Sequence, residues 1–132
     1  MGNTEKQRVL IADDNETNIE LIEDCLADAD LETAIALDGQ DTLDKVASFR
    51  PDLILLNMLL PKLSGFEVCE RLRGNPVSKG IMILVIVASN GLGEIERVVK
   101  SGADDLLFEP LNKVELIRRV DILLRLARLQ RD

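Results

Sequence analysis

The chain has 132 residues, 46% of them hydrophobic, and a formal net charge of −8. This length fits one domain, and the hydrophobic content is enough for a core, which argues against a disordered chain. The negative charge argues against general binding to nucleic acid or to an anionic membrane, because such binding relies on Lys and Arg. No apolar run reaches the roughly 18 residues of a membrane span, and no signal-peptide pattern is present, so we predict a cytoplasmic protein.

Short aliphatic runs alternate with amphipathic stretches along the chain. In chain order the pattern predicts strand Arg8–Ala12, helix Thr17–Ala29, strand Leu31–Ala36, helix Gly39–Phe49, strand Asp52–Leu56, helix Ser64–Arg73, strand Ile81–Ala88, helix Glu94–Ser101, strand Asp105–Phe108 and helix Asn112–Gln130. Residues 1–7 are expected to form a flexible tail before a single domain over residues 8–132.

The order of these elements predicts the fold class. Five strands that are each followed by a helix indicate a parallel sheet with helices on both faces. The strands are continuous apolar runs, which is typical of strands buried on both sides. We therefore predict an α/β fold of three layers, with a doubly wound, five-stranded parallel sheet. In such sheets, ligands bind beyond the carboxyl ends of the strands, where the strand order switches direction.

Local signals mark the helix ends. Thr17 and Ser64 are each followed by Glu three residues later, the pattern of a capping box, and Asn112 begins a looser version. Gly74 and Gly102 are expected to take the left-handed conformation that ends a helix. The two cysteines, Cys25 and Cys69, show no CxxC spacing, and we predict that both are reduced thiols.

Polar residues follow several of the predicted strands. Asp13 and Asp14 come directly after the first strand, Asn57 after the third and Glu109 after the fifth. The acid pair alone is equally typical of a solvated turn with favourable charge near a helix N-terminus. It also suits a Mg²⁺ site, because a hard cation prefers carboxylate oxygens.

Three segments make the pattern more specific: VLIADDNETN, PDLILLNMLLPKLSGFEVCERLR and SGADDLLFEP. In order and spacing they resemble the receiver domain of bacterial two-component response regulators, the CheY-like family with a flavodoxin-like (βα)5 fold. Pro61 stands four residues after Asn57 and Gly65 eight after it, as in the family. The resemblance covers nearly the whole chain.

The resemblance implies a role for each position after a strand. In the family, an aspartate after the third strand accepts a phosphoryl group from a histidine kinase, and Mg²⁺ lies beside it. A Thr or Ser ending the fourth strand and a Lys after the fifth contact the phosphoryl oxygens. In this chain the acid pair Asp13-Asp14 is kept, but the phosphoacceptor position is Asn57, the hydroxyl position is Val87 and the lysine position is Glu109.

Each departure has a chemical consequence. An amide oxygen is far less nucleophilic than a carboxylate, so Asn57 cannot form an acyl phosphate. Val87 has no hydroxyl, and Ser89, the nearest one, lies two residues beyond the expected position. At ~4 Å and an effective dielectric constant of ~20, a negative Glu109 in place of the lysine turns attraction to the phosphoryl group into repulsion. The interaction energy changes by several kcal/mol, which corresponds to about a thousandfold in rate. The sequence therefore predicts a degenerate receiver, a pseudo-receiver with no catalytic residue and no enzymatic activity.

The remaining polar residues leave two outcomes open. In the family, the site contains three aspartates and one lysine. Here the same positions are Asp13, Asp14, Asn57 and Glu109, and their total charge is more negative by one. A Mg²⁺ ion could still bind through Asp13, Asp14, the Asn57 amide oxygen and the Leu59 backbone carbonyl. Alternatively, Glu109 turns outward and the Asn57 amide N–H₂ group holds one of the acids. We expect no other cofactor.

The last predicted helix, residues 112–130, is apolar over more of its circumference than one docking face requires. Its excess predicts a second contact, either a homodimer interface or a linker to a following domain, although a broad docking face is the simpler interpretation. Leu106 stands where the family often places a switching aromatic, and we expect it to pack in the core.

The leading functional prediction is a phosphorylation-independent protein–protein interaction and dimerisation module in two-component-type signalling. Its partners would be a signalling protein, a histidine kinase or an output domain, with no nucleic acid and no membrane. One alternative is a receiver that a kinase still regulates, through phosphorylation elsewhere or through non-productive docking. A remote one is a Mg²⁺-dependent phosphatase of the haloacid dehalogenase type, which also places acids after its first strand.

Overall fold

The computed structural model describes residues 5–88 and 92–130. All ten predicted elements are present in the predicted order. The strands are β1 (Gln7–Ala12), β2 (Leu31–Ala36), β3 (Leu53–Asn57), β4 (Met82–Val87) and β5 (Asp105–Phe108). The helices are α1 (Glu16–Leu26), α2 (Gly39–Phe49), α3 (Gly65–Arg73), α4 (Ile95–Ser101) and α5 (Lys113–Gln130), with a 3₁₀ turn at Leu92–Glu94 before α4.

The five strands form one parallel sheet in the order β2-β1-β3-β4-β5. The chain leaves β1 toward β2 on one side and returns to β3 on the other, so the order switches direction between β1 and β3. In the register of these two strands, Ala12 pairs with Leu56. The residues that follow, Asp13 and Asn57, therefore emerge side by side at the switch point.

Two apolar cores lie on opposite faces of the sheet. Alternate side chains of β1, β3 and β4 pack against α1 and α5 on one face. The other alternate set packs against α2, α3 and α4. Every residue of β3 and β4 is buried, which explains why these strands read as continuous apolar runs. The doubly wound, three-layer prediction is confirmed.

The predicted helix ends are partly right. Ser64 and Glu67 form the capping box that begins α3, and Gly102 ends α4 with φ of 95°. The capping box at Thr17 is wrong: α1 begins one residue earlier, because Asn15 acts as the N-cap and its side chain accepts from the Asn18 backbone N–H. The left-handed prediction for Gly74 is also wrong, since its φ is −80°.

Strand β1 begins one residue earlier than predicted, at Gln7. Its side-chain Nε2 donates to the Leu124 backbone carbonyl (2.8 Å), and its Oε1 accepts from Arg128 (2.8 Å). Gln7 therefore belongs to the fold and ties β1 to α5, and the predicted tail ends before it.

The two cysteines lie on opposite faces of the sheet and are not bonded to each other. Burial raises the pKa of the Cys69 thiol to about 11, so it is protonated at neutral pH and a poor nucleophile. Burial also raises the pKa of Cys25, by desolvation.

None of the helices in residues 5–88 and 92–130 combines the length and the hydrophobicity that a transmembrane segment requires.

Candidate functional site

The carboxyl ends of β1, β3 and β5 bring together four polar residues from four separate segments. They are Asp13, Asn18, Asn57 and Glu109, and we call their connected side chains the amide network. Asp13 is completely buried and Asn18 and Asn57 are nearly so, whereas Asp14 is exposed. The strand ends thus place two of the predicted site residues, Asp13 and Asn57, in direct contact.

Asn57 is held in one orientation by groups on both sides of its amide. Its Nδ2 lies 3.2 Å from each carboxylate oxygen of Asp13, and its Oδ1 accepts from the Leu59 backbone N–H at 2.8 Å. Reversing the amide would set oxygen against carboxylate and N–H against N–H. The predicted contact between the Asn57 N–H₂ group and an acid is therefore present.

Asp13 is a buried charge whose hydrogen-bonding capacity is filled by nitrogen donors. Besides the two contacts from Asn57, its Oδ1 accepts from the Asn15 backbone N–H (3.0 Å) and its Oδ2 from Asn18 Nδ2 (3.1 Å). A carboxylate offers about four lone-pair sites, so these contacts use them all. Dipoles and donors around the anion replace the water that burial removes.

Glu109 does not turn outward, so that part of the second predicted outcome is wrong. It is half-buried, and its Oε2 accepts a 2.6 Å hydrogen bond from Asn18 Nδ2. The ladder between β4 and β5 places it there, because its backbone N–H donates to the Val87 carbonyl at 2.8 Å immediately after the strand. One amide nitrogen of Asn18 thus contacts the carboxylates that follow the first and fifth strands.

The family's hydroxyl position and its switching-aromatic position both carry apolar side chains here. Val87 is the last residue of β4 and is 4% exposed, packed in the core on the α3 and α4 face. Leu106 packs partly buried against the same core, as predicted. Ser89 lies outside the described residues. Neither Val87 nor Leu106 offers a polar atom that could follow a ligand.

Helix α3 begins directly behind Asn57 because Gly65 allows a close approach. The Gly65 backbone N–H donates to the Met58 carbonyl at 3.0 Å. A Cβ at this position would lie 2.7 Å from the Asn57 carbonyl oxygen and 2.7 Å from the Met58 Cα. Glycine at residue 65 therefore fixes the position of α3 against the end of β3.

The residues present do not fit the Mg²⁺ site that the resemblance implied. A hard cation needs several free oxygen ligands. Both oxygens of Asp13 face N–H groups, and the Asn57 oxygen faces the Leu59 N–H. In residues 5–88 and 92–130, no group of three or more His, Cys, Asp or Glu side chains could hold a metal ion. The Mg²⁺ site through Asp13, Asp14, Asn57 and Leu59 stays a prediction, which the titration described below tests.

Asn18 is the residue of the site that the sequence analysis missed. It lies in the buried stripe of α1 with Ile19, Ile22 and Leu26, where a polar side chain needs a partner. An amide on an apolar helix face, one turn after an acid pair, was the available signal. Its second partner, Glu109, lies 91 positions away and is brought near only by the sheet order.

Comparison with known proteins decides the family. A family model described as the response regulator receiver domain matches residues 9–121. The chain belongs to the response regulator receiver family. It is 37% identical over 118 residues to response regulator PleD of Caulobacter vibrioides, which covers 89% of this chain and 26% of PleD. It is 34% identical over 122 residues to the DNA-binding response regulator MtrA of Mycobacterium tuberculosis, covering 92% of this chain and 52% of MtrA.

Solved receiver structures agree with the observed fold. The receiver domain of Francisella response regulator 1452 superposes with a TM-score of 0.80 at 29% identity, covering 91% of this chain and 98% of that one. The chemotaxis response regulator CheY4 of Vibrio cholerae gives 0.82 at 25% identity, covering 90% and 99%. The chain spans about a quarter of PleD and about half of MtrA. It is a receiver domain of two-component signalling.

Proposed function

We propose that this receiver acts without phosphorylation, as a protein–protein interaction module. The observation that carries the proposal is the Asn57 amide, whose Nδ2 points at Asp13 and whose Oδ1 is held by the Leu59 N–H. A phosphoacceptor needs a free carboxylate oxygen, and this position presents none. Val87 and Glu109 support the same conclusion, because one has no hydroxyl and the other has the wrong charge.

The proposed partners are the classes that receivers contact, namely kinases and output domains. The proposal that the chain is not an enzyme is supported by family membership, since receivers are generally non-enzymatic signalling modules. The absence of nucleic-acid binding remains a prediction, because relatives described as DNA-binding match this chain over their receiver portion.

Helix α5 supplies a surface for a second copy of the chain. It buries one stripe in the core but exposes five large apolar side chains: Val114, Ile117, Ile122, Leu126 and Leu129. Val114 and Ile117 border a groove of about 990 Å³ between α1 and α5. An exposed apolar surface on both flanks of one helix is typical of an interface.

Charge favours pairing between copies. Helix α1 exposes the acid Asp24 and the turn after it exposes Asp28, while α5 exposes Arg118 and Arg125 beside the groove. A twofold arrangement brings the acidic α1 of one copy opposite the basic α5 of the other. We therefore propose a homodimer through residues 112–130 that forms without a phosphoryl group.

Light scattering across concentration tests this proposal. We expect the mass to rise from 14.7 kDa toward twice that value, equally with and without acetyl phosphate. Ile117→Glu on the α1 flank and Leu126→Glu on the other flank are matched variants, since their side chains are 46% and 43% exposed and neither change opens the core. We expect Ile117→Glu to stay monomeric and Leu126→Glu to dimerise, because the proposed pairing uses the α1 flank; the reverse result would contradict that pairing. A mass of one chain at all concentrations contradicts the dimer, and a mass that changes only with acetyl phosphate contradicts phosphorylation independence.

A further inference from the structure

The amide network fills the space between carboxylates where a cation would otherwise be needed. Asp13 directly after β1 and Glu109 directly after β5 are both acidic, and a single Asn18 Nδ2 contacts them at 3.1 and 2.6 Å. The two hydrogens of that nitrogen are enough to serve one carboxylate each. Without a common donor or a cation between them, two close carboxylates in a buried site repel.

We infer that Asn18 is a positioning residue that takes the place of a bound cation in this receiver. Its amide holds the ends of β1 and β5 together, while the Asn57 amide donates to both carboxylate oxygens of Asp13. The folded domain neither requires nor recruits Mg²⁺. The two asparagine amides, of Asn18 and Asn57, donate to the oxygens that a Mg²⁺ ion would need, and for this reason the residues do not fit the implied site.

The burial of these groups supports the assignment. Asp13 is 0% exposed and Asn18 is 8% exposed, so solvent contributes little to balancing the charge of Asp13, whereas Glu109 is half-buried. Among the described residues, no deeply buried side-chain nitrogen or oxygen lacks a hydrogen-bond partner. The deeply buried polar atoms of the network therefore have partners within the protein, and a satisfied buried network holds a single geometry.

The inference is independent of the proposed interaction role, because a receiver could lack a cation and still be controlled by its partners in several ways. Different results would reject the proposed function and the role of Asn18. A phosphoryl adduct would reject the proposed function, whereas a response of the wild-type chain to Mg²⁺ would reject this inference.

Thermal unfolding and calorimetric titration of the 132-residue chain, in EDTA and in millimolar MgCl₂, test the inference. For the wild-type chain we expect the same Tm in both buffers and no heat of Mg²⁺ binding. In Asn18→Ala, Asp13 and Glu109 lose their shared donor. We expect its Tm to fall in EDTA and to recover by about 4 °C or more in MgCl₂, since a ligand that binds only the folded state stabilises it.

Asn15→Ala is the matched control. It removes the side-chain cap of α1 but keeps the Asn15 backbone N–H that donates to Asp13. We expect a lower Tm for this variant with no response to Mg²⁺. Adding Glu109→Gln to Asn18→Ala should abolish the Mg²⁺ response, because one of the two repelling charges is then gone.

Two results would overturn the inference. One is a wild-type chain that binds Mg²⁺ or gains stability from it. The other is an Asn18→Ala variant that behaves like Asn15→Ala, losing stability without any response to the cation. If Asn18→Ala does not fold in EDTA, refolding on addition of MgCl₂ supports the inference and failure to refold counts against it.

Discussion

Replacing Asn57 with aspartate should not by itself create an efficient phosphoacceptor. We expect the Asn57→Asp chain to react with acetyl phosphate about a thousandfold more slowly than the double variant Asn57→Asp, Glu109→Lys. Glu109 is held toward the site by Asn18, so its negative charge faces an incoming phosphoryl group. A lysine at that position would attract the phosphoryl oxygens instead. Rates of adduct formation by intact mass, in MgCl₂, measure the difference.

Glu109→Lys alone is the control for this prediction. It keeps Asn57 and should give no adduct, because an amide cannot accept the group whatever its neighbours. Efficient labelling of the single variant Asn57→Asp would show that the charge of Glu109 matters less than its position suggests.

Adding a methyl group at Gly65 should destabilise the domain strongly. In Gly65→Ala the new Cβ would meet backbone atoms of Asn57 and Met58, each at 2.7 Å, and backbone cannot rotate away as a side chain can. We expect the free energy of unfolding to fall by about 2–3 kcal/mol, as for other overpacked sites. Urea denaturation monitored by circular dichroism measures it.

Gly80→Ala is the matched control, because a Cβ at that position has no atom within 4 Å. We expect its free energy of unfolding to stay within about 0.5 kcal/mol of the wild-type value. Equal stability of the two variants would mean that α3 can move away from β3 freely, and that Gly65 does not set the geometry behind Asn57.

The fold could be predicted from the sequence because its signals are local and repeated. Apolar runs bounded by turns gave all five strands, and the parallel sheet follows from the helix after each one. The error at Thr17 arose where two local solutions compete. Asn15 offers a better cap than Thr17, because it follows Asp13, whose carboxylate accepts the Asn15 backbone N–H.

The site could be predicted only in part, because its residues meet through the order of the strands. Asp13 and Asn57 followed from the rule for strand ends, and their contact is present. The orientation of Glu109 could not be predicted, because it depends on a hydrogen bond from Asn18. Asn18 lies in the first helix, far in sequence from the fifth strand. The charges alone leave two outcomes for an excess acid, a bound cation or an outward turn. A neutral donor between two acids is a third outcome, which depends on the order of the strands.

The absence of a phosphoacceptor is tested most directly by intact mass spectrometry after incubation with acetyl phosphate or phosphoramidate in MgCl₂. Asn57, bonded through Nδ2 to Asp13 and through Oδ1 to the Leu59 N–H, should leave the mass of the wild-type chain unchanged. A stable increase by the mass of one phosphoryl group, located by fragmentation to the ends of β1, β3 or β5, would contradict the account.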